Sequence, residues 1–332
     1  MIQNYQRRSL FWPLMLIAVG AIWFLSNLGI LQAASIGMLF RLWPVILIII
    51  GLDLLFARSN PRLGTMIALG GVIVIVALML LGPSLGLVKS LDVKEATYNE
   101  QVGPATSAQV HLDIGVATTT IKALDDSNDL FKADLRYVGD VEFKTSGDSK
   151  KIINLSQKGN TGSTDFFGWF DQPRNLHWNV GLNMNIPIAL DVNSGVSDST
   201  LDLGKLKITD LRVNGGVGSV NVTLPNMDDA YNVVLNGGVG DLKVDMAVNS
   251  AINFQIKGGV GQVIIDVPDD GAVKVDANTG VGNIDVPSSY SKVSGDNKTV
   301  GEEGVWQTSN FDASKRQITI HFDGGVGNLT VR

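Results

Sequence analysis

A short glycine motif, Gly-Gly-Val-Gly, recurs in the C-terminal part of this chain and constrains its fold more than any other feature. A shorter copy, Thr279-Gly280-Val281-Gly282, belongs to the same series. A fixed period of about 20–50 residues is typical of a solenoid, in which each repeat forms one coil. The spacing is 22, 21, 21 and then 45 residues, and the last interval indicates that one copy has been lost. The central valines are Val217, Val239, Val260, Val281 and Val326.

Each copy of the motif lies between two stretches in which apolar and polar residues alternate. Around the second copy these stretches are Val233-Val234-Leu235 and Leu242-Lys243-Val244. Such alternation predicts strands with one buried face, and glycine permits a sharp corner between them. Stacked coils would place the motif valines in one column, which we expect to point into the core. The predicted corner glycines are Gly216, Gly218, Gly238, Gly240, Gly259, Gly261, Gly280, Gly282, Gly325 and Gly327.

These patterns predict an all-β solenoid, similar to a single-stranded β-helix, over residues 105–332. Its coils hold about 21 residues, as the motif spacing requires. Regular coils are expected over residues 183–332, and irregular outer coils over residues 105–182. Residues 89–104 are predicted to be a linker. The position after each motif is polar and is expected to share hydrogen bonds along the stack: Ser219, Asp241, Gln262, Asn283 and Asn328.

The first 88 residues are strongly apolar. Three stretches, residues 10–31, 36–57 and 63–82, approach the length of about 20 residues that a helix needs to cross a hydrocarbon core of about 30 Å. The second reaches this length only if Arg41 extends to the membrane interface. We therefore predict an N-terminal segment of about three transmembrane helices, with the lipid bilayer as a partner.

Basic residues indicate the orientation of these helices. Arg7 and Arg8 precede the first stretch, and Arg58 and Arg62 lie between the second and the third. Cytoplasmic loops carry an excess of Lys and Arg. A multi-pass protein of the cell membrane is thus expected, with a cytoplasmic N-terminus and an extracytoplasmic β-domain. With only two spans, the β-domain would be cytoplasmic instead.

The first two apolar stretches are copies of each other. Trp12-Pro13 and Gly20 recur 31 residues later as Trp43-Pro44 and Gly51. Trp favours the membrane interface, Pro the first helical turn and Gly a close approach of two helices. These residues are therefore predicted to pack the helices together. Asp53 is expected to reach water near a helix end, and the alternative is a partner contact within the bilayer.

The paired Trp-Pro hairpin resembles the LiaI/LiaF-like transmembrane region of bacterial envelope proteins, over roughly residues 8–57. The β-region resembles the LiaF C-terminal domain and the wider adhesin-like β-solenoids called toastrack domains, over about residues 105–332. The chain departs from that pattern over Ser288–Asp312, a polar stretch with Glu302, Glu303 and Trp306. The segments that carry the β resemblance are Asn185–Val196, Leu201–Leu206, Leu211–Gly218, Gly259–Pro268 and Gly282–Pro287.

One stretch without alternation, residues 159–179, concentrates aromatic side chains. One hypothesis is an exposed loop that docks a partner or enters the membrane interface. The other is a cap that covers the end or a flank of the solenoid, because solenoids need capped ends. The candidate contact residues are Phe166, Phe167, Trp169, Phe170 and Trp178.

No pattern typical of a catalytic, metal or cofactor site is found in the sequence. The chain has no cysteine, which excludes disulfides and thiolate metal sites. The glycine motif lacks the lysine of a phosphate loop and opens no helix. The acidic pairs, such as Asp228-Asp229 and Asp269-Asp270, lack the spacing of calcium-binding repeats. We therefore predict a protein that is not an enzyme and has no cofactor.

Nucleic acid is not expected as a partner. Beyond residue 88 the chain holds 21 Lys and Arg against 31 Asp and Glu, and an acidic surface repels phosphate backbones. The resemblance implies instead a sensor or regulator of the response to cell-wall antibiotics and other envelope stress, in contact with a membrane histidine kinase or another envelope protein. The alternative is a surface structural or adhesin-type solenoid. Self-association is compatible with both.

Overall fold

The computed structural model describes residues 16, 20, 43–56, 61–81, 93–125, 128–158, 175–246, 250–295 and 301–332. Helix α1 spans Trp43–Phe56, and helix α2 spans Pro61–Leu81. Of the first predicted helix, the described residues include only Leu16 and Gly20, both helical. In the part of the chain that the structure describes, no helix combines the length and apolar character that crossing a membrane requires.

The two helices pack through a glycine of α2. A side chain at Gly71 would meet the side chain of Ile49, whose Cδ1 atom lies 3.0 Å from the position of an added Cβ. Ile49 and Ile75 are both buried. A residue without a side chain thus lets the helices approach closely, although the sequence pattern had pointed to other glycines.

The β unit begins at Val93 and contains 19 strands in its described residues. The strands of its first part are β1 (Val93–Gln101), β2 (Ser107–Val116), β3 (Thr118–Leu124), β4 (Asp129–Val138), β5 (Asp140–Ser146), β6 (Lys150–Lys158), β7 (His177–Asn183), β8 (Pro187–Val196) and β9 (Ser199–Asp202). The others are β10 (Lys207–Val217), β11 (Val220–Thr223), β12 (Tyr231–Asn236), β13 (Leu242–Asp245), β14 (Ile252–Asp266), β15 (Ala272–Val281), β16 (Ile284–Asp285), β17 (Ser291–Ser294), β18 (Glu302–Gln307) and β19 (Gln317–Val331).

The parallel strands form two rows, as the repeated motif predicts. The row before the glycine corners runs β6, β2, β8, β10, β12, β14, β19, β15, and the row after them runs β7, β3, β9, β11, β13, β14, β19, β16. The long strands β14 and β19 pass through the corner and belong to both rows. Inward side chains of the two rows share one hydrophobic core. Burying each large apolar side chain contributes about 1.5–3 kcal/mol.

The order of the coils differs from their order in the sequence. Strand β19 lies between β14 and β15, so that Val326 pairs with Val260 on one side and with Val281 on the other. The interpretation of the 45-residue interval as two periods with a lost copy is therefore wrong. The chain completes the coil of β15 and β16, leaves the stack, and returns to insert β19 beneath that coil.

The segment between these two coils closes one end of the first row. Strands β17 and β18 pair with each other, and β18 pairs antiparallel with β15. Trp306 on β18 is buried, and the amine of Lys292 lies 5.2 Å from the centre of its ring. What the sequence presented as a polar loop is thus partly a hairpin that covers the edge of β15, as the ends of solenoids require.

The other end begins earlier than predicted. Residues 93–101 form β1, which pairs antiparallel with β4, so the prediction of a linker over residues 89–104 is wrong for most of that range. Tyr98 of β1 and Phe143 of β5 lie with ring centres 5.1 Å apart. Strands β2 and β3 already form a regular coil, because Val116 pairs with Val196 in the column of corner valines. The irregular region is therefore shorter than residues 105–182.

Candidate functional site

The glycine corners stack so closely that two glycines of each motif have no room for a side chain. A Cβ atom on Gly238 would overlap with the carbonyl oxygen of Gly216 in the preceding coil, and one on Gly240 with that of Gly218. The last glycine of each motif also has a positive φ, 147° at Gly240, which disfavours other residues. The predicted corners are thus formed by backbone contact between coils.

The first glycine is much less constrained in three of the four complete motifs, whereas an added Cβ atom at Gly324 would meet the ring of Phe322. A Cβ atom on Gly237 would lie 3.7 Å from its nearest neighbour, the carbonyl oxygen of Lys257. In register with this position, neighbouring coils carry Ser194 and Thr279. The motif therefore contains two obligatory glycines and one optional glycine.

The motif valines point outward and form an exposed apolar column along the corners. They do not enter the core, so the expectation of an inward column is wrong. Their exposed fractions are 43% for Val217, 54% for Val239, 50% for Val260, 49% for Val326 and 51% for Val281, in the order of the stack. Val196 continues the column beyond Val217. We call these six residues the valine ridge.

The sequence contained a signal for this orientation. Leu235 before the corner and Leu242 after it are both buried, although they lie seven residues apart. In an unbroken alternation, two buried positions would lie an even number of residues apart. An odd interval means that one residue between them leaves the alternation. Continuing the alternation through the corner led to the wrong side for Val239.

Two polar columns border the valine ridge. In the first, which we call the amide column, the side chain of Asn214 donates a hydrogen bond to Asn193 and that of Asn236 donates to Asn214, both at 2.6 Å. Asn193 in turn donates to Asp113 at 2.7 Å. In register, the column runs Asp113, Asn193, Asn214, Asn236, Lys257, Asp323, Asn278.

The second polar column follows the valines and matches the hydrogen-bonded column that the sequence predicts. The carboxylate of Asp198 accepts from the backbone N–H of Ser219 at 3.0 Å, and that of Asp241 accepts from Gln262 at 3.2 Å. Asn328 accepts in the same way from Asn283 at 3.1 Å. We call Asp198, Ser219, Asp241, Gln262, Asn328 and Asn283, in stack order, the corner column.

An open surface depression of about 380 Å³ lies beside the first corner of the stack. Asp113, Gln157 and Asn193 border it together with corner glycines. The side chain of Gln157 accepts from the backbone of Gly115 at 3.0 Å and donates to the carbonyl of Val138 at 2.8 Å. Both the oxygen and the nitrogen of this amide therefore take part in hydrogen bonds that hold the corner.

The charged groups on the outer faces form ion pairs between neighbouring coils. Arg332 donates to Asp266 at 2.7 Å and Lys243 lies 3.2 Å from the same carboxylate. The guanidinium of Arg332 is the main cause that lowers the pKa of Asp266 to about 2. His321 lies 3.3 Å from Asp276 on the next coil. Within the described residues, no group of three or more His, Cys, Asp or Glu is placed to hold a metal ion.

The candidate contact residues of the aromatic stretch separate into two sets. Trp178 lies on β7 and is fully buried in the core, next to β3 and β4, so its assignment to an exposed contact site is wrong. Trp178 lies on the same face of β7 as the buried Val180 and Leu182, which explains its burial. The others, Phe166, Phe167, Trp169 and Phe170, lie outside the described residues.

The residues predicted to pack the transmembrane helices are only partly described. Trp43 and Pro44 begin α1 and are exposed in the helical unit. An added Cβ at Gly51 or Gly20 meets no described atom within 4 Å, and most of the first helix, against which they are predicted to pack, lies outside the described residues. Asp53 lies on α1. Trp12 and Pro13 lie outside the described residues.

Three family models match the chain in succession. The model of the LiaF transmembrane domain matches residues 11–93. The model of the N-terminal domain of toast_rack matches residues 89–245. The model described as cell wall-active antibiotics response LiaF, C-terminal, matches residues 227–331. These matches confirm the resemblance to LiaF-like proteins with a toastrack domain.

A solved structure supports this fold. A candidate cell adhesion protein from Clostridium sporogenes is similar with a TM-score of 0.50 and 21% identity, over 72% of this chain and 99% of that one. A candidate adhesin from Bacteroides fragilis covers 72% of this chain and 97% of its own, with a TM-score of 0.37 and 14% identity. At this identity the first likeness supports the fold alone. No curated protein matches the chain.

Proposed function

We propose that this chain, which is similar to LiaF-like proteins along residues 11–331, is a membrane-anchored regulator of the response to cell-envelope stress. In this proposal it is not an enzyme and acts by contact with a membrane histidine kinase. Its helices cross the cell membrane several times, with the N-terminus in the cytoplasm and the β unit outside. The observation that carries the proposal is the unbroken succession of the three family matches.

The surface of the β unit supports a role in contact. The outer faces carry ion pairs and hydrogen-bonded amides that join neighbouring coils, as at Asp266 and Asn214. Groups used in this way hold the solenoid together and are not poised for acid–base work. The apolar surface that remains at the corners fits contact with another protein.

The regulator proposal makes the helices responsible for kinase contact. Residues 1–88 should be exchanged for an unrelated three-helix anchor that keeps the same orientation. We expect the exchange to abolish co-purification of the kinase and to change the output of an envelope-stress reporter during treatment with a cell-wall antibiotic. The matched control is the original chain, at equal abundance in the membrane.

Two outcomes would decide against parts of this proposal. If the exchanged chain still co-purifies with the kinase and the reporter is unchanged, contact does not run through the helices. If removal of the whole chain leaves the reporter unchanged, the regulatory role is wrong. The second candidate, a structural or adhesin-type surface protein, would then remain.

The aromatic residues Phe167 and Trp169 are proposed as a separate contact with a partner or with the membrane interface. Changing both to Ser should weaken binding of the partner or of lipid vesicles and leave the melting temperature unchanged, because exposed aromatic residues contribute to contact and not to the core. Trp178→Ser is the matched comparison, since that buried indole should lower the melting temperature. A similar loss of stability in the double variant would show that the two residues belong to a cap.

A further inference from the structure

The valine ridge is the largest regular apolar feature on the described surface of the β unit. Its five motif valines are each about half exposed, between 43% and 54%. The neighbouring coils place them one strand spacing apart, about 4.8 Å. Burial in the core does not explain why each of these corners keeps a valine. A contiguous exposed apolar strip with polar borders is typical of a protein contact site.

We propose that the valine ridge binds the valine ridge of a second copy of this chain, in an antiparallel arrangement with two-fold symmetry. A partner surface must match the spacing of the valines, and the ridge of a second copy has the same spacing because its sequence is the same. Two-fold contacts in which the same patch meets itself are the commonest form of homodimer. Each valine of one ridge would lie opposite a valine of the other.

One register pairs all six ridge valines, and the polar columns are compatible with it. With the two-fold axis between the coils of Val239 and Val260, the six ridge valines form complete opposing pairs. Each charged residue that borders these six coils then opposes an amide, and Val116 and Asp113 of the next coil lie beyond the contact. The opposing pairs are Val239 with Val260, Val217 with Val326, Val196 with Val281, Asn236 with Lys257, Asn214 with Asp323, Asp241 with Gln262, and Asp198 with Asn283.

A shift of the axis to Val239 removes this compatibility. Asp241 would then oppose Asp241 of the other copy, and like charges at close range are unfavourable. In the preferred register, the amide column can add hydrogen bonds across the contact. An asparagine amide has two N–H donors, and the bonds within the column use one of them at Asn214 and at Asn236.

The area of the ridge indicates how strong this contact is. Six coils and their borders cover a strip of about 30 Å by 20 Å, or roughly 600 Å² on each copy. Stable interfaces bury about 800 Å² on each partner. The contact is therefore weak for free molecules. Confinement of two anchored copies to one membrane raises their effective concentration and favours it, and this step rests on the membrane anchor of the proposed function.

The absence of cysteine from the chain provides a clean test. In the full chain, reconstituted at low density in lipid vesicles, Val239→Cys places a single thiol on the ridge. Val293→Cys is the matched control, because Val293 is 56% exposed but lies on β17, away from the ridge. A short bis-maleimide should join two copies through residue 239 and yield roughly tenfold less dimer through residue 293.

A second set of variants separates the ridge from the helices as the site of contact. In the Val239→Cys chain, Val217, Val260 and Val326 are changed together to Thr, which keeps the branched shape and replaces one methyl group by a hydroxyl. The dimer yield should fall roughly tenfold or more, while the melting temperature stays unchanged. Val293→Thr should have no effect on the yield.

The proposal is overturned if the two thiol positions yield equal dimer or none, or if the triple Thr variant cross-links as well as its parent. Cross-linking of residue 239 only to a different protein in native membranes would also overturn the second copy as the occupant. None of these outcomes depends on kinase co-purification, so this proposal and the proposed function can fail separately.

Discussion

The residues of the Gly-Gly-Val-Gly motif have unequal roles, although the sequence shows them as a uniform run. Gly238 and Gly240 lie against backbone of the preceding coil, whereas Gly237 has space around its Cα. Val239 is held between them on the outside of the corner. Backbone contact between coils therefore determines the motif, and the outward side chain of the valine remains available for other contacts.

A pair of neighbouring alanine substitutions tests this inequality. Gly238→Ala places a methyl group on the carbonyl oxygen of Gly216, and we expect the free energy of unfolding to fall by about 2–3 kcal/mol. Gly237→Ala should change it by less than about 1 kcal/mol. Urea unfolding of the full chain in detergent, followed by circular dichroism, measures both. Equal effects of the two changes would contradict the assignment.

The carboxylate of Asp266 makes the free energy of unfolding depend on pH in the acid range. Its pKa is lowered from 3.8 to about 2, mainly by Arg332. A lowered pKa in the folded state stabilises the protein above the unfolded pKa, and the contribution disappears as the pH falls from about 4 towards 2. We expect Arg332→Gln to lower the free energy of unfolding by about 1 kcal/mol or less at pH 7, and to have a much smaller effect at pH 2, where the carboxyl of Asp266 is about half protonated in the folded state. An effect of equal size at pH 2 and at pH 7 would mean that Arg332 acts through packing.

At the level of strands, the sequence predicted the coils but not their order. Alternation around each corner correctly indicated strands such as β10 and β12, and the motif valines gave their register. The insertion of β19 between β14 and β15 was missed, because motif spacing measures distance along the chain and not neighbours in space. Residues 93–101 were missed as a strand, since their alternation is weakly apolar. The outward valines were missed because the alternation of the strand before each corner was continued into the corner, although the buried positions of the following strand indicate the opposite side.

Pairs of cysteines can verify the order of the coils. Val260→Cys combined with Val326→Cys joins positions on neighbouring strands, about 4.8 Å apart, within the range that a disulfide spans. Val260→Cys with Val281→Cys joins positions two strands apart, at about 9.6 Å. Oxidation should close the first pair within one chain and leave the second pair open, as counted by free thiols. Closure of only the second pair would restore the sequential order.

As a whole molecule, the β unit is a stack whose stability is approximately a sum over coils and the contacts between neighbours. Antiparallel strands close both of its ends, β1 and β5 at one and β17 and β18 at the other. The coils from β8 to β14 lie between these ends. Each pairs with its neighbours in the same register. The length of the stack can therefore change without disturbing its ends.

Removal of one whole coil should accordingly leave a folded protein. Deletion of residues 218–239 joins Val217 to Gly240 and restores a complete motif. We expect a β unit that still resists trypsin, with a lower melting temperature because one coil of core is lost. Deletion of residues 218–228 removes half a coil and breaks the register, and should leave the rest of the stack sensitive to trypsin. Equal resistance of both variants would show that the coils do not act as units.

The position of β19 also affects how the chain is made. A ribosome releases residues 272–285 before residues 317–331, although the earlier segment rests on the later one. Until residues 317–331 have been made, the edge of β14 lacks its partner in the final structure, and β15 can pair only with β18 on its other edge. A chain interrupted before residue 317 keeps that open edge, which proteases and chaperones can recognise. The order of coils in the structure therefore cannot form until residues 317–331 have been made.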